Sequence, residues 1–205
     1  MELRKFSAVV VFVAVVGFGH TGSASVNGAA QFIHTLGNQA ITTLRATNLT
    51  LEQREAHFRG LLAQSFNLRF IGRFVLGKHW RSATADQKND YLGLFSKYIL
   101  QTYSSRFGGY SGQSLTVVGA RQASEKDIVV QTQIDRPSGS PILAEWRVRA
   151  KGEQYRIIDI AVEGVSMAVT QRSEFSAVVQ RNGIPGLLAL LRARTTKISA
   201  TAALN

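Results

Sequence analysis

The apolar residues of this 205-residue chain change period twice, and that double switch limits the fold more than any other feature. From Thr50 to about Arg106 they recur at steps of three and four, the spacing of one buried helix face. From Ile142 to Lys151, and similarly from Asp127 to Asp135, they alternate, as in strands with one buried and one wet face, while Gln154 to Val162 is apolar on both faces and reads as a central strand. From Ser166 the helical step returns. Helices, then strands, then helices, joined by short connections, predict a single α+β domain with an antiparallel meander rather than a parallel α/β sheet.

Local signals sharpen the boundaries. Phe32, Ile33, Leu36 and Ile41 suggest a first helix within 26–48. Thr50 and Gln53 form a capping box ahead of Phe58, Leu61, Leu62, Phe66, Phe70, Ile71, Phe74 and Val75, a pattern that runs to Gly77 with Asn67 or Gly72 as a possible break. Thr84 and Gln87 repeat the box ahead of Tyr91, Leu94, Phe95, Tyr98, Ile99 and Tyr103. Turn formers in 107–114 end that helix near Arg106. Strands are expected over 115–120, 127–135, 142–151 and 154–162, with the turn Arg136 to Ser140 between the second and third. Gly183 reads as a left-handed helix cap, Pro185 as the start of another helix through Leu187, Leu188 and Leu191, and 195–205 as a frayed tail. The expected architecture is N-terminal helices, a curved four-stranded antiparallel sheet and C-terminal helices. One apolar sheet face and several amphipathic helices can close into a solid core, or stop short and leave a cavity.

The first residues carry a separate message. Arg4 and Lys5 precede the apolar run Phe6 to Phe18 and the small residues Gly22, Ser23, Ala24 and Ser25. That is the pattern of a cleavable secretory signal peptide over 1–24, since the run falls short of the ~20 apolar residues a spanning helix needs. The segment carries one net positive charge of the formal +11, so the mature chain keeps +10. An exported basic protein meets membrane phosphates and acidic partners rather than nucleic acid. The chain contains no cysteine, which excludes thiolate chemistry, cysteine-ligated metal and a lipoprotein anchor.

Catalytic signatures are sparse. His20, His34, His57 and His79 offer no pair at metal-binding spacing. Gly109 to Gly112 resembles a nucleophile elbow superficially, but Gln113 stands where its last glycine belongs. Asp159 and Glu163 would lie ~13 Å apart along an extended strand at ~3.3 Å per residue, too far for a carboxylate dyad. One of them could still serve as a buried base on a curved-sheet, nuclear-transport-factor-like scaffold. Neither GxxxxGK[ST] nor GxGxxG occurs. Basic residues cluster at Arg69, Arg73, Lys78 and Arg81, and at Arg147, Arg149 and Lys151.

The order of particular residues carries a resemblance. Phe66, Asn67 and Leu68 lead through Ile71 to Leu76, Gly77, Trp80, Arg81, Ala83, Thr84 and Gln87, then Phe95 and Tyr103; later come Tyr155, Asp159, Glu163, Gly164, Val165, Ser166, Arg172 and Phe175. This pattern, spread over 51–191, resembles the MlaC or toluene-tolerance family of bacterial periplasmic phospholipid-binding proteins. Asn67 departs from it, because aspartate often follows the phenylalanine there. The resemblance implies a lipid-binding domain over 25–195 with a flexible tail from 196, and acyl chains in an apolar cavity between sheet and helices. It also implies a carrier without catalysis or cofactor, moving phospholipid between an inner-membrane ABC transporter complex and an outer-membrane complex through transient membrane contact. A related branch, HpnM, is associated with hopanoids and would imply a polycyclic lipid instead. The expected cavity-wall residues are Phe70, Val75, Phe95, Ile99, Tyr103, Trp146 and Val165.

Overall fold

A computed structural model describes residues 25–105, 112–152 and 154–202. The export segment read over 1–24 and most of the turn-forming stretch before Ser114 lie outside the described residues.

Among the described residues, five antiparallel strands form one meander in the order β1 (Ser114–Gln122), β2 (Asp127–Asp135), β3 (Ile142–Lys151), β4 (Gln154–Val162) and β5 (Val165–Ser166). Alternation sets the register: Val130 faces Trp146 and Ile128 faces Val148 on β2 and β3, with Ile160 and Ile157 opposite those two on β4. The four expected strands therefore gain a fifth. Glu163 and Gly164 have positive φ, 49° and 78°, as a two-residue hairpin turn of type I′ demands, and they fold the chain back for two residues only. So short a strand has no period to read. Register shifts interrupt the ladders between Val117 and Gly119 and between Arg147 and Val148. Such bulges bend and twist a sheet, which supplies the curvature.

Helices cover one face. In α1 (Val26–Arg45), Ser25 Oγ caps the Gly28 N–H at 2.9 Å, and Ala29 and Ile33 pack with Ile128, Val130, Val148 and Ile157 of the sheet. α2 (Leu51–Ser65) and α5 (Ala85–Ser104) both open with complete capping boxes at Thr50 and Thr84. The break falls at Asn67, whose Oδ1 accepts the Phe70 N–H at 3.0 Å and opens α3 (Leu68–Leu76). The Asn67 N–H in turn donates to the Ile157 carbonyl at 2.9 Å, tying the break to β4. α3 ends at Gly77, whose φ of 57° and ψ of −127° suit glycine, and a single turn, α4 (His79–Ser82), follows.

α6 (Met167–Ala202) is broken at Gly183, with φ 67° and ψ 179°, just before Pro185, where the sequence signals place the break. Helix continues through Thr195, read from sequence as the start of a frayed tail, to Ala202; Thr195 is buried and its hydroxyl donates to the Leu191 carbonyl at 3.0 Å. α5 and α6 build a second core around Tyr91, Phe95, Phe175, Leu187 and Leu191. Phe95 and Phe175 meet edge to face, centroids 6.3 Å apart at 88°. Two apolar cores thus stand side by side, one on the sheet and one among the helices.

Candidate functional site

Between the two cores the packing does not close. A cavity of about 420 Å³ remains, in the size range of small-molecule sites. α1, α2, α3 and α5 offer it residues at helical spacing: Ile33, Leu36 and Leu44 from α1, Phe58, Leu61 and Leu62 from α2, Leu68, Ile71 and Val75 from α3, Phe95, Ile99 and Tyr103 from α5. The sheet contributes Leu115, Ile134, Trp146 and Ile160, and the start of α6 adds Met167 and Ala168. Native interiors rarely tolerate a void of this size. Here the bent sheet and the break at Asn67 hold the walls apart.

The few polar groups on the lining are largely engaged by the protein itself. Trp146 Nε1–H donates to Thr132 Oγ1 at 2.8 Å, so the indole meets its hydrogen-bonding need away from the cavity and offers it carbon. Asp159 accepts the Ser166 hydroxyl and, at 3.1 Å, the Ala168 N–H, so it caps the start of α6 from β4. Ser114 donates to Asp135 at 3.4 Å. Gln113, Gln171 and the Tyr103 hydroxyl are the other polar members. Such a chamber suits hydrocarbon, because an ion moved from water to walls made almost wholly of carbon would be costly to desolvate.

Five of the seven residues expected at the wall line it: Val75, Phe95, Ile99, Tyr103 and Trp146. Phe70 does not, because its ring lies beneath the Arg149 guanidinium, 4.4 Å from the centroid. Val165 does not either; it sits on the short edge strand β5 and is 55% exposed. The walls given by α1 and α2 were not anticipated, although Ile33, Leu36, Ile41 and Leu44 follow helical spacing and carried the signal.

The remaining candidates for chemistry have structural duties. Glu163 Oε1 accepts the Leu143 N–H at 2.7 Å on the exposed edge, and Asp159 is the cap just described. His79 Nε2 lies 3.4 Å from Ser176 Oγ. Among the described residues no group of three His, Asp or Glu side chains is placed to hold a metal ion. Of the second basic cluster, Arg149 is bidentate to buried Asp127 at 2.7 and 2.9 Å, and Arg147 reaches the same carboxylate at 3.5 Å. The Asp127 hydrogen bonds push the Arg149 guanidinium still further above its ordinary pKa. No helix among the described residues is long and apolar enough to cross a membrane.

Comparison with known proteins adds an independent line. The family described as MlaC protein matches residues 34–193. The intermembrane phospholipid transport system binding protein MlaC of Haemophilus influenzae is 20% identical over 196 residues, 92% of either chain. The toluene tolerance protein ttg2D of Pseudomonas putida is 24% identical over 106 residues, which is 52% of this chain and 49% of that one. Among solved structures, a phospholipid-binding protein from Ralstonia solanacearum, determined in complex with a phospholipid, superposes with a TM-score of 0.73 at 19% identity, covering 83% of this chain and 98% of the other.

Proposed function

Because the chain belongs to the MlaC family, we propose that it is a non-catalytic phospholipid carrier of the periplasm, exported by a signal peptide over 1–24, that passes lipid between an inner-membrane ABC transporter complex and an outer-membrane complex. The observation that carries this reading is the cavity of about 420 Å³ held open between two apolar cores and lined almost wholly by carbon. The names of its relatives, one a phospholipid transport binding protein and one solved with a phospholipid, support the choice of ligand.

Energetics define what such a site must do. A diacyl lipid of about 30 methylenes would gain on the order of 25 kcal/mol on leaving water, at ~0.8 kcal/mol each. The lipid starts in a bilayer and returns to one, however, so a carrier must match that environment rather than surpass it. An apolar chamber with few polar contacts achieves the match; a site rich in specific hydrogen bonds would trap its cargo. The head group, polar and charged, is left outside.

Extraction of the purified protein into organic solvent, followed by mass spectrometry, tests the reading directly. Phospholipid near one molecule per chain is the expected result. A polycyclic lipid in its place would move the assignment to the hopanoid branch, and no lipid at all, with no uptake from vesicles, would refute it.

A further inference from the structure

No acidic residue occurs between Glu55 and Asp86, a stretch that contains Arg59, Arg69, Arg73, Lys78 and Arg81. α3 lies inside it and has two unlike faces. Leu68, Ile71 and Val75 line the cavity, while Arg69, Arg73 and Phe74 are exposed. Neighbouring elements extend the outer face. Arg73 lies over the Trp80 ring, 5.6 Å from its centroid, and Arg172 of α6 over Phe74 at 5.2 Å. Val169, one helical turn before Arg172, is 51% exposed. Arg69, Arg73, Lys78, Arg81 and Arg172 take part in none of the ion pairs among the described residues, whereas Arg147, Arg149 and Arg192 do.

A merely solvated face ordinarily mixes both signs of charge. Between Glu55 and Asp86 this one has cations, exposed Phe74 and no acid, and α6 adds Arg172 and Val169, its nearby Glu174 accepting from Gln171. We propose that the outer face of α3, with α4 and the start of α6, docks on the anionic surface of a phospholipid bilayer, with Arg69, Arg73 and Arg172 against phosphates and Phe74 and Val169 in the interfacial layer. The chemistry fits in detail. Guanidinium groups bind phosphate in bidentate fashion, and those resting on aromatic rings keep their N–H edges free. Apolar side chains between cations suit an interface where hydrocarbon begins just below a sheet of phosphates. A protein partner of mixed charge would bring bases as well as acids, and the α3–α4 stretch has no acid to meet them. The purpose of docking rests on the carrier reading: the helix that touches the membrane outside is the helix that touches cargo inside.

The test is co-sedimentation of the full chain with vesicles of phosphatidylcholine, with and without phosphatidylglycerol. Binding is expected only with the anionic lipid and should fade as salt shortens the screening length to about 10 Å near 0.1 M. R69E/R73E is compared with R121E/R181E, two exposed arginines elsewhere that give the same net charge. The first pair should cut partitioning about tenfold or more and the second by less than about threefold, with co-purified phospholipid unchanged in both. The single change Arg69→Glu, judged native by circular dichroism, should reproduce the direction if the double variant misfolds. Equal losses in the two pairs would overturn the proposal in favour of diffuse charge. Failure of the wild-type chain to bind anionic vesicles even at low salt would overturn it and hand the face to an acidic protein. Vesicle binding by a chain that carries no phospholipid would sink the carrier reading while leaving the docking face in place.

Discussion

At the residue scale, Tyr91 shows how tightly the helical core is sealed beside an open chamber. It is 0% exposed, its hydroxyl donates to the Gly72 carbonyl at 3.0 Å, and burial pushes its pKa well above the ordinary phenol range. The unfolded chain loses that proton near pH 10 and the folded chain retains it, so unfolding releases a proton only above that point. Stability from this group is therefore whole below about pH 10 and is lost above it, by up to about 1.4 kcal/mol per pH unit. Tyr91→Phe should cost about 1 kcal/mol near neutrality and flatten the alkaline decline, as measured by urea unfolding at about pH 8 and about pH 11. An unchanged alkaline slope would locate the titration elsewhere. Cavity residues invite a contrasting experiment. Ile99→Trp fills the chamber and should lower the phospholipid recovered per chain, whereas Val165→Trp, outside the lining, should leave it alone. Equal recovery from Ile99→Trp and wild type would mean that lipid lies elsewhere.

At the scale of elements, legibility followed the strength of local chemistry. Thr50 and Thr84 cap where their boxes say, because each satisfies two otherwise unpaired N–H groups within four residues. Asn67, where the sequence resemblance leads to an expected aspartate, forms the cap, since an amide oxygen accepts the Phe70 N–H as a carboxylate would. β2 and β3 were plain from alternation, whereas β4, with Ile157 and Ile158 both buried, has no such period. What escaped was too short to show a period, namely β5 and the single turn α4, or was decided by partners distant in sequence. Phe70 repeats at the four-residue step of Phe66 and Phe74, but Arg149, held by Asp127, draws its ring away from the cavity. α1 contributes wall residues because β1 and β2 pack beneath it, a fact no local window contains. Gly183 was legible, and it carries a prediction. Its φ of 67° and ψ of 179° lie in a region that is essentially glycine's alone, so Gly183→Ala should destabilise the protein by about 1–3 kcal/mol in thermal or denaturant unfolding. A neutral outcome would mean that α6 straightens through the break without penalty.

For the whole molecule, the decisive quantity is the chamber that the two cores leave between them. Residual cavities in protein cores cost about 24 cal/mol per Å³, which for 420 Å³ gives an upper bound of about 10 kcal/mol. Net stabilities of domains are only about 5–15 kcal/mol. A dry, empty and rigid chamber of this size would therefore consume most of what holds the fold together. Cargo relieves that cost, and so would inward collapse of α2 and α3, the helices that meet at the Asn67 break. Ligand that binds only the folded state stabilises it by RT ln(1 + [L]/Kd), about 4 kcal/mol at a thousandfold excess over Kd. Protein stripped of lipid should consequently unfold at a temperature lower by roughly 8–16 °C, with faster amide exchange concentrated in α2 and α3 rather than around Tyr91 and Phe175. Restoring phospholipid should reverse both changes. Identical unfolding temperatures and exchange with and without lipid would mean that the chamber stands open unaided, and that its walls, not its contents, bear the load.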